Sequence, residues 1–110
     1  MLKTVWHVTP FENKVRIDKT GLRPSRKRRG RIYVFHPRSL APEVAGDLHA
    51  LDYPTTRKFA LYSLQVNSLL LHRDEEMEEL EEEIEYYWIP RDTPIVNLKY
   101  HGFLGATGHF

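Results

Sequence analysis

The sequence contains no cysteine. This absence excludes disulfide bonds, thiolate metal ligands and a cysteine nucleophile, and it fits a reducing compartment. The chain also lacks an apolar run of the roughly 20 residues that a membrane-spanning helix requires, and residues 1–6 do not form the apolar segment of a signal peptide. We therefore expect a cytoplasmic protein that has no membrane partner.

The motifs of several common enzyme classes are missing as well. The sequence has no glycine-rich dinucleotide or phosphate loop, no Gly-x-Ser-x-Gly turn and no calcium-binding loop. Its histidines do not recur at the spacings of a metal-ligand set. We therefore expect no metal cofactor.

The composition is that of one small globular domain. The chain has 110 residues, of which 41% are hydrophobic and 28% charged, so we expect a single domain over 1–110. The net charge of +1 conceals two opposite clusters, because residues 23–31 include six basic side chains and residues 74–83 are almost entirely acidic. A charged ligand responds to these local fields more than to the net charge.

Apolar periodicity and turn signals together predict an α+β fold. Thr9 and Pro10 are typical of a helix start, and Gly21 is typical of a helix end. We predict two main helices, five strands and a glycine-rich irregular tail: helices over 10–20 and 39–51, strands over 3–8, 31–35, 57–66, 84–89 and 95–100, and the tail over 101–110.

Four short blocks, in this order, resemble the ADP-ribosyltransferase-like superfamily and the related RNA 2′-phosphotransferases. The blocks are His7-Val-Thr9, Ile17-x-x-x-Gly21-Leu-x-Pro24, Arg31-Ile-Tyr33 and Glu85-Tyr-Tyr-x-Ile-Pro90. They are similar to the His-Tyr-Glu form of that superfamily. The resemblance implies a small split β-sheet core with two main helices, and it implies NAD as the substrate.

The resemblance also implies roles for individual residues. His7 would contact the adenosine-side ribose, Tyr33 would stack on the nicotinamide, and Glu85 would orient the nicotinamide-side ribose. Breaking the nicotinamide–ribose bond passes through an oxocarbenium-like state, as glycoside hydrolysis does, so the site must fix the leaving ring and place negative charge near the ribose. We also expect the Thr9 hydroxyl to face the pocket and Arg31 to bind the pyrophosphate by paired hydrogen bonds.

Each candidate has a plainer interpretation. His7 would then be an ordinary strand-end histidine, Thr9 only a helix cap, and Tyr33 a core side chain. Glu85 adjoins the acidic run and would be solvated surface, in which case Glu83 is the substitute carboxylate. Strand alternation predicts that Glu85 faces the same side of the sheet as Tyr87.

The basic loop allows three interpretations. Its central residues, Arg26, Lys27, Arg28 and Arg29, would be solvated, would clamp the NAD pyrophosphate or would contact nucleic acid. Six basic residues in nine make solvation alone the weakest of these. No aromatic residue interrupts the loop, so a plain single-strand RNA-binding module lacks its stacking platform there.

Four functions follow from these patterns. The first is NAD-dependent ADP-ribosyl transfer or NAD cleavage, with a nucleic-acid or protein acceptor, as in toxins and in phage or bacterial conflict proteins of the superfamily. The second is RNA 2′-phosphate transfer, although that family has a second histidine where Tyr33 stands. The third is a nucleotide- or protein-binding module without catalysis, and the fourth is RNA binding by the basic loop. The oligomeric state stays open.

Overall fold

The computed structural model describes residues 1–23, 30–75 and 84–105. They form β1 (Leu2–Pro10), α1 (Lys14–Thr20), β2 (Arg31–His36), α2 (Ala41–Leu51), β3 (Lys58–Asn67), β4 (His72–Arg73), β5 (Glu85–Pro90) and β6 (Val96–Gly105). These strands make one antiparallel sheet in the order β4-β5-β2-β1-β3-β6. The prediction of a small α+β domain with two main helices is confirmed.

The two helices lie on opposite faces of the sheet, because alternate residues of a strand enter different cores. On β1, Val8 packs with Val44 of α2, whereas Val5 packs on the other face. On that other face, Ile17 of α1 packs against Ala60 and Tyr62 of β3. Within the described residues, no helix is both long and apolar enough to cross a membrane.

The first helix is shorter than the sequence predicts. A 3-10 turn over Phe11–Asn13 precedes α1, and Thr9 is the buried penultimate residue of β1 rather than a helix cap. The end of the helix is confirmed at Gly21, which has a φ of 80° and donates its N–H to the Ile17 carbonyl at 2.8 Å. A positive φ favours glycine because it has no Cβ to clash with the backbone.

The C-terminal segment corrects a second prediction. Residues 101–105 are not irregular, since β6 continues to Gly105 along β3. Gly102, at a φ of 97°, belongs to this strand, where its positive φ accommodates an irregular stretch of the ladder. The short strand β4, paired with β5, was not predicted. The remaining tail, 106–110, and most of the acidic run, 76–83, lie outside the described residues.

The strands β1 and β2 separate soon after they meet. Their register has one partner pair, Trp6 opposite Phe35, whereas β1 pairs with β3 along its whole length, from Leu2 to Pro10. The backbone groups of β1 beyond Trp6 therefore face β2 without a ladder between them. This gap opens the middle of the sheet to side chains from both helices.

We predict that Ile17 anchors α1 to the sheet. Ile17→Ala should lower the free energy of unfolding by about 2–4 kcal/mol, because its side chain is 3% exposed and its removal leaves a cavity beside Tyr62. The matched control is Val15→Ala on the same helix, where the valine is 65% exposed and the change should be near zero. Urea denaturation measures both, and equal destabilisation would contradict this packing.

Candidate functional site

A cavity of about 220 Å³ occupies the gap between β1 and β2. Its walls come from His7–Pro10 on one strand and Arg31–Phe35 on the other, with further residues from α1, the segment after it and α2. A water molecule takes about 30 Å³ of liquid, so the cavity has room for roughly seven. It therefore encloses one ring system and its neighbouring groups, and a longer ligand would extend past the opening.

The His7 imidazole bridges the two strands. Its Nδ1 lies 2.7 Å from the carbonyl oxygen of Tyr33, at a place where the β1–β2 ladder has ended. A carbonyl only accepts hydrogen bonds, so Nδ1 must donate, and the Nε2 of a neutral ring is then an acceptor. His7 thus holds the gap at a fixed width and lines the cavity.

Thr9 is held by the first turn after β1. Its hydroxyl accepts a hydrogen bond from the side-chain amide of Asn13 at 3.0 Å, and only 7% of the residue is exposed. A hydroxyl that accepts one hydrogen bond can still donate another. Thr9 therefore lines the cavity as a buried donor, and the predicted capping role is wrong.

Tyr33 and Arg31 line the cavity from β2. Both belong to the side of this strand that also carries the buried Phe35, since successive residues alternate. The Arg31 guanidinium is stacked on the ring of Trp88, with 3.9 Å between the guanidinium carbon and the ring centroid. This stacking restricts the long side chain while its N–H groups stay available for an anion.

The cavity wall carries charges of both signs. Arg16 and Arg23 come from α1 and the segment after it, Arg31 comes from β2, and Asp47 and Asp52 come from α2 and the residue after it. Burial raises the pKa of Asp47, and the nearby Glu43 acts in the same direction, while a hydrogen bond from Tyr86 opposes them. A ligand that has both a phosphate and hydroxyl or cationic groups matches this set of charges.

Arg16 and both acidic residues were missed at the level of sequence, although α2 carries a signal for one of the two carboxylates. Asp47 lies three residues after Val44 and four before Leu51, on the face that the apolar spacing assigns to the core. A carboxylate on a buried helix face marks either a hydrogen-bonded core group or a site. Asp52, one residue beyond α2, carries no comparable signal.

Glu85 does not line the cavity. Its carboxylate shares one face of the sheet with Tyr87, as strand alternation predicts, and it accepts a hydrogen bond from the Tyr87 hydroxyl. Lys3 Nζ lies 3.7 Å from Oε1, and His36 Nδ1 lies 3.3 Å from Oε2. The Tyr87 hydrogen bond, with smaller contributions from Lys3 and His36, lowers the pKa of Glu85 despite partial burial.

Several predicted residues lie outside the described part of the chain. These are the substitute carboxylate Glu83 and the loop residues Arg26, Lys27, Arg28 and Arg29. The described residues that flank the loop on either side, Arg23 and Arg31, both line the cavity.

The described residues bring no three histidine or acidic side chains together in a way that would hold a metal ion. The polar groups of the cavity are instead two carboxylates, three guanidinium groups, and hydroxyl, amide and imidazole side chains, from His7 on β1 to Tyr86 on β5. This set binds a polar organic ligand through hydrogen bonds and ion pairs.

We predict a pH-dependent contribution of Glu85 to stability. Because its folded pKa is below the ordinary 4.5, the stabilisation is complete above about pH 4.5 and is lost as the pH falls through the folded pKa. At pH 7, Glu85→Gln should cost about 1 kcal/mol or less, since the side chain is 40% exposed. Urea midpoints at pH 7, 5 and 3 test this, with the exposed Glu12→Gln as the control. A deficit that persists unchanged at pH 3 would contradict it.

No protein-family model matches the sequence, and neither the curated proteins nor the solved structures contain a significant match. These comparisons therefore assign the chain to no family.

Proposed function

We propose that this chain is a cytoplasmic NAD-binding enzyme that transfers ADP-ribose to an acceptor or to water. The observation that carries the proposal is the position of His7, Thr9, Arg31 and Tyr33. The sequence singles out these four for contacts with NAD, and all four line the cavity between β1 and β2. They reach it from two separate strands, so their common location does not follow from proximity in the sequence.

The charges of the cavity support a dinucleotide in particular. The guanidinium groups of Arg16, Arg23 and Arg31 match a pyrophosphate, because each presents several donors to phosphate oxygens. The enclosed volume of about 220 Å³ is below the roughly 300–1,000 Å³ of pockets that surround a drug-sized ligand. In this proposal one end of NAD is enclosed and the pyrophosphate lies at the opening.

The walls suit the leaving group and the ribose. Tyr33 offers an aromatic side chain to the nicotinamide ring, while the His7 imidazole and the Thr9 hydroxyl offer polar groups to ribose hydroxyls. Holding the ring and the sugar in fixed positions lowers the barrier by orienting the bond that breaks. The remaining requirement is a carboxylate close to the ribose.

The basic loop indicates which molecule would accept the ADP-ribose. Arg23 and Arg31 flank the loop and line the cavity, so a polyanion attracted by residues 26–29 would be near bound NAD. A nucleic acid is therefore our proposed acceptor.

A nucleotide-binding module without catalysis is the second candidate. The observation that favours it is the position of Glu85, whose carboxylate contacts Lys3, His36 and Tyr87 and does not line the cavity. Binding of NAD without release of nicotinamide would distinguish this function from the first.

We predict that NAD binding depends on the β1–β2 cavity. His7→Ala and Tyr33→Ala should each weaken NAD binding about tenfold or more, since each removes a polar or aromatic contact worth roughly 1.4 kcal/mol. His101→Ala is the matched control, because His101 is also half-buried but does not line the cavity. Isothermal titration calorimetry, with a thermal melt of each variant, measures the effect. Equal affinities in all three variants would contradict the assigned site.

We also predict that the basic loop binds polyanions. Changing Arg26, Lys27, Arg28 and Arg29 to glutamine should weaken binding of a single-stranded oligonucleotide. It should also reduce the slope of log affinity against log salt by about 0.7 for each phosphate that the variant no longer neutralises. Fluorescence anisotropy over a salt series measures both quantities.

The control for this experiment is a variant with the same reduction of positive charge elsewhere. It carries glutamine at four exposed basic positions outside the loop, namely Lys19, Arg57, Arg91 and Lys99. If this control changes the slope as much as the loop variant does, the effect comes from net charge, and the loop has no specific role.

A further inference from the structure

The carboxylates that line the cavity come from α2 and the residue after it. Among the described residues, the acidic side chains in its wall are Asp47 and Asp52. Asp47 belongs to the body of α2, between Val44 and Leu48, which pack in the adjacent core cluster. Its carboxylate is therefore half-buried at an apolar wall of the cavity.

Strand β5 contacts Asp47 through Tyr86, whereas Glu85 of the same strand lies on the opposite face of the sheet from Tyr86. Tyr86, which lines the cavity, directs its hydroxyl toward Oδ2 of Asp47 at 3.5 Å. Its neighbours in the sequence, Glu85 and Tyr87, bond to each other on the opposite face. Side chains alternate along a strand, so Tyr86 and Glu85 point to different faces of the sheet, and of the two it is Tyr86 that lines the cavity.

Asp47 has hydrogen-bonding capacity that a ligand can use. An ionised carboxylate offers about four lone-pair positions, and the hydrogen bond that Asp47 accepts from the described residues is the long one from Tyr86. A partly desolvated carboxylate also interacts more strongly with a positive charge than one in water does. The lone-pair positions can accept hydrogen bonds from the hydroxyl groups of a sugar. The stronger interaction with positive charge can stabilise a cation that develops on that sugar.

We propose that Asp47, rather than Glu85, is the carboxylate that contacts the ribose of the bound dinucleotide and stabilises its positive charge when nicotinamide leaves. This inference rests on the function proposed above and identifies the catalytic residue of that same cavity. Asp52 is the weaker alternative, because it is the C-terminal cap of α2, where the helix dipole disfavours negative charge.

The proposed reaction exchanges one bond at the anomeric carbon for another. The bond between this carbon and the nicotinamide nitrogen breaks, and its electron pair stays on the nitrogen of the neutral leaving ring. An oxygen of water or of the acceptor donates a lone pair to the anomeric carbon, and its proton passes to solvent. Asp47 stabilises the positive charge on the ribose between these two events and is unchanged at the end.

The test compares three variants of the full chain, Asp47→Asn, Glu85→Gln and Asp52→Asn. Each is assayed for NAD affinity by calorimetry, for nicotinamide release by chromatography, and for folding by thermal melt. We expect Asp47→Asn to reduce release at least about a hundredfold while NAD affinity changes less than about threefold. Glu85→Gln, whose carboxylate does not line the cavity, should keep release within about threefold of the unaltered chain. Asp52→Asn should reduce release less than Asp47→Asn does, and a larger loss in Asp52→Asn would overturn the inference.

Other outcomes separate the inference from the proposed function. If Glu85→Gln abolishes release and Asp47→Asn does not, the inference is overturned while the NAD-cleaving function stands. If the unaltered chain binds NAD without releasing nicotinamide, the inference also fails, and the binding module is favoured. If the unaltered chain does not bind NAD at all, the proposed function itself is wrong.

If the Asp47→Asn variant does not fold, Tyr86→Phe provides a second test. This variant leaves the carboxylate in place and should reduce nicotinamide release by a smaller factor than Asp47→Asn would. Unchanged release in Tyr86→Phe would contradict the inference.

Discussion

The separation of β1 from β2 is the constraint on which the rest of the structure depends. An antiparallel pair gains its stability from a continuous ladder, yet these strands are in register only at Trp6 and Phe35. The cost of the missing ladder is offset at one point by His7, whose Nδ1–H donates to the carbonyl oxygen of Tyr33 across the gap at 2.7 Å. The same separation creates the cavity and brings side chains from both faces of the sheet into it.

The gap also determines which chemical groups meet. Helix α1, the segment after it and β2 provide guanidinium groups, and α2 with the following residue provides carboxylates. The strands add an imidazole, a buried hydroxyl and an aromatic ring between them. In the proposed reaction the guanidinium groups would bind the pyrophosphate of NAD, and the carboxylates would face the ribose that becomes positively charged when nicotinamide leaves. The network of Lys3, His36 and Tyr87 around Glu85 lies on one face of the neighbouring strands and serves their stability instead.

Much of the fold follows from local sequence signals, and the failures have physical causes. The periodicity of β3 and of α2 predicts their positions within a few residues, and Gly21 ends α1 as expected. Threonine is a preferred residue at helix N-caps, but the pairing of β1 with β3 continues through Thr9 to Pro10. Strand pairing therefore overrides the preference of Thr9 for a helix cap. Residues 101–105 look irregular because of their glycines, yet their backbone groups complete the edge of the sheet beside β3. For the site, alternation predicts correctly that Glu85 shares a face with Tyr87, but no periodicity shows which residues line the cavity. That depends on where β1 and β2 part, a long-range property that also brings Asp47 to the wall.

Whether the β1–β2 gap is the nucleotide-binding site is tested most directly by titrating the isotope-labelled protein with NAD and following its backbone amides by NMR. We expect the largest shift changes to cluster on His7–Pro10 and Arg31–Phe35 and to extend to the α2 residues near Asp47, while amides of β4 and the distal part of β6 stay unchanged. Shift changes confined to residues outside the cavity, or none at millimolar NAD, would contradict this assignment.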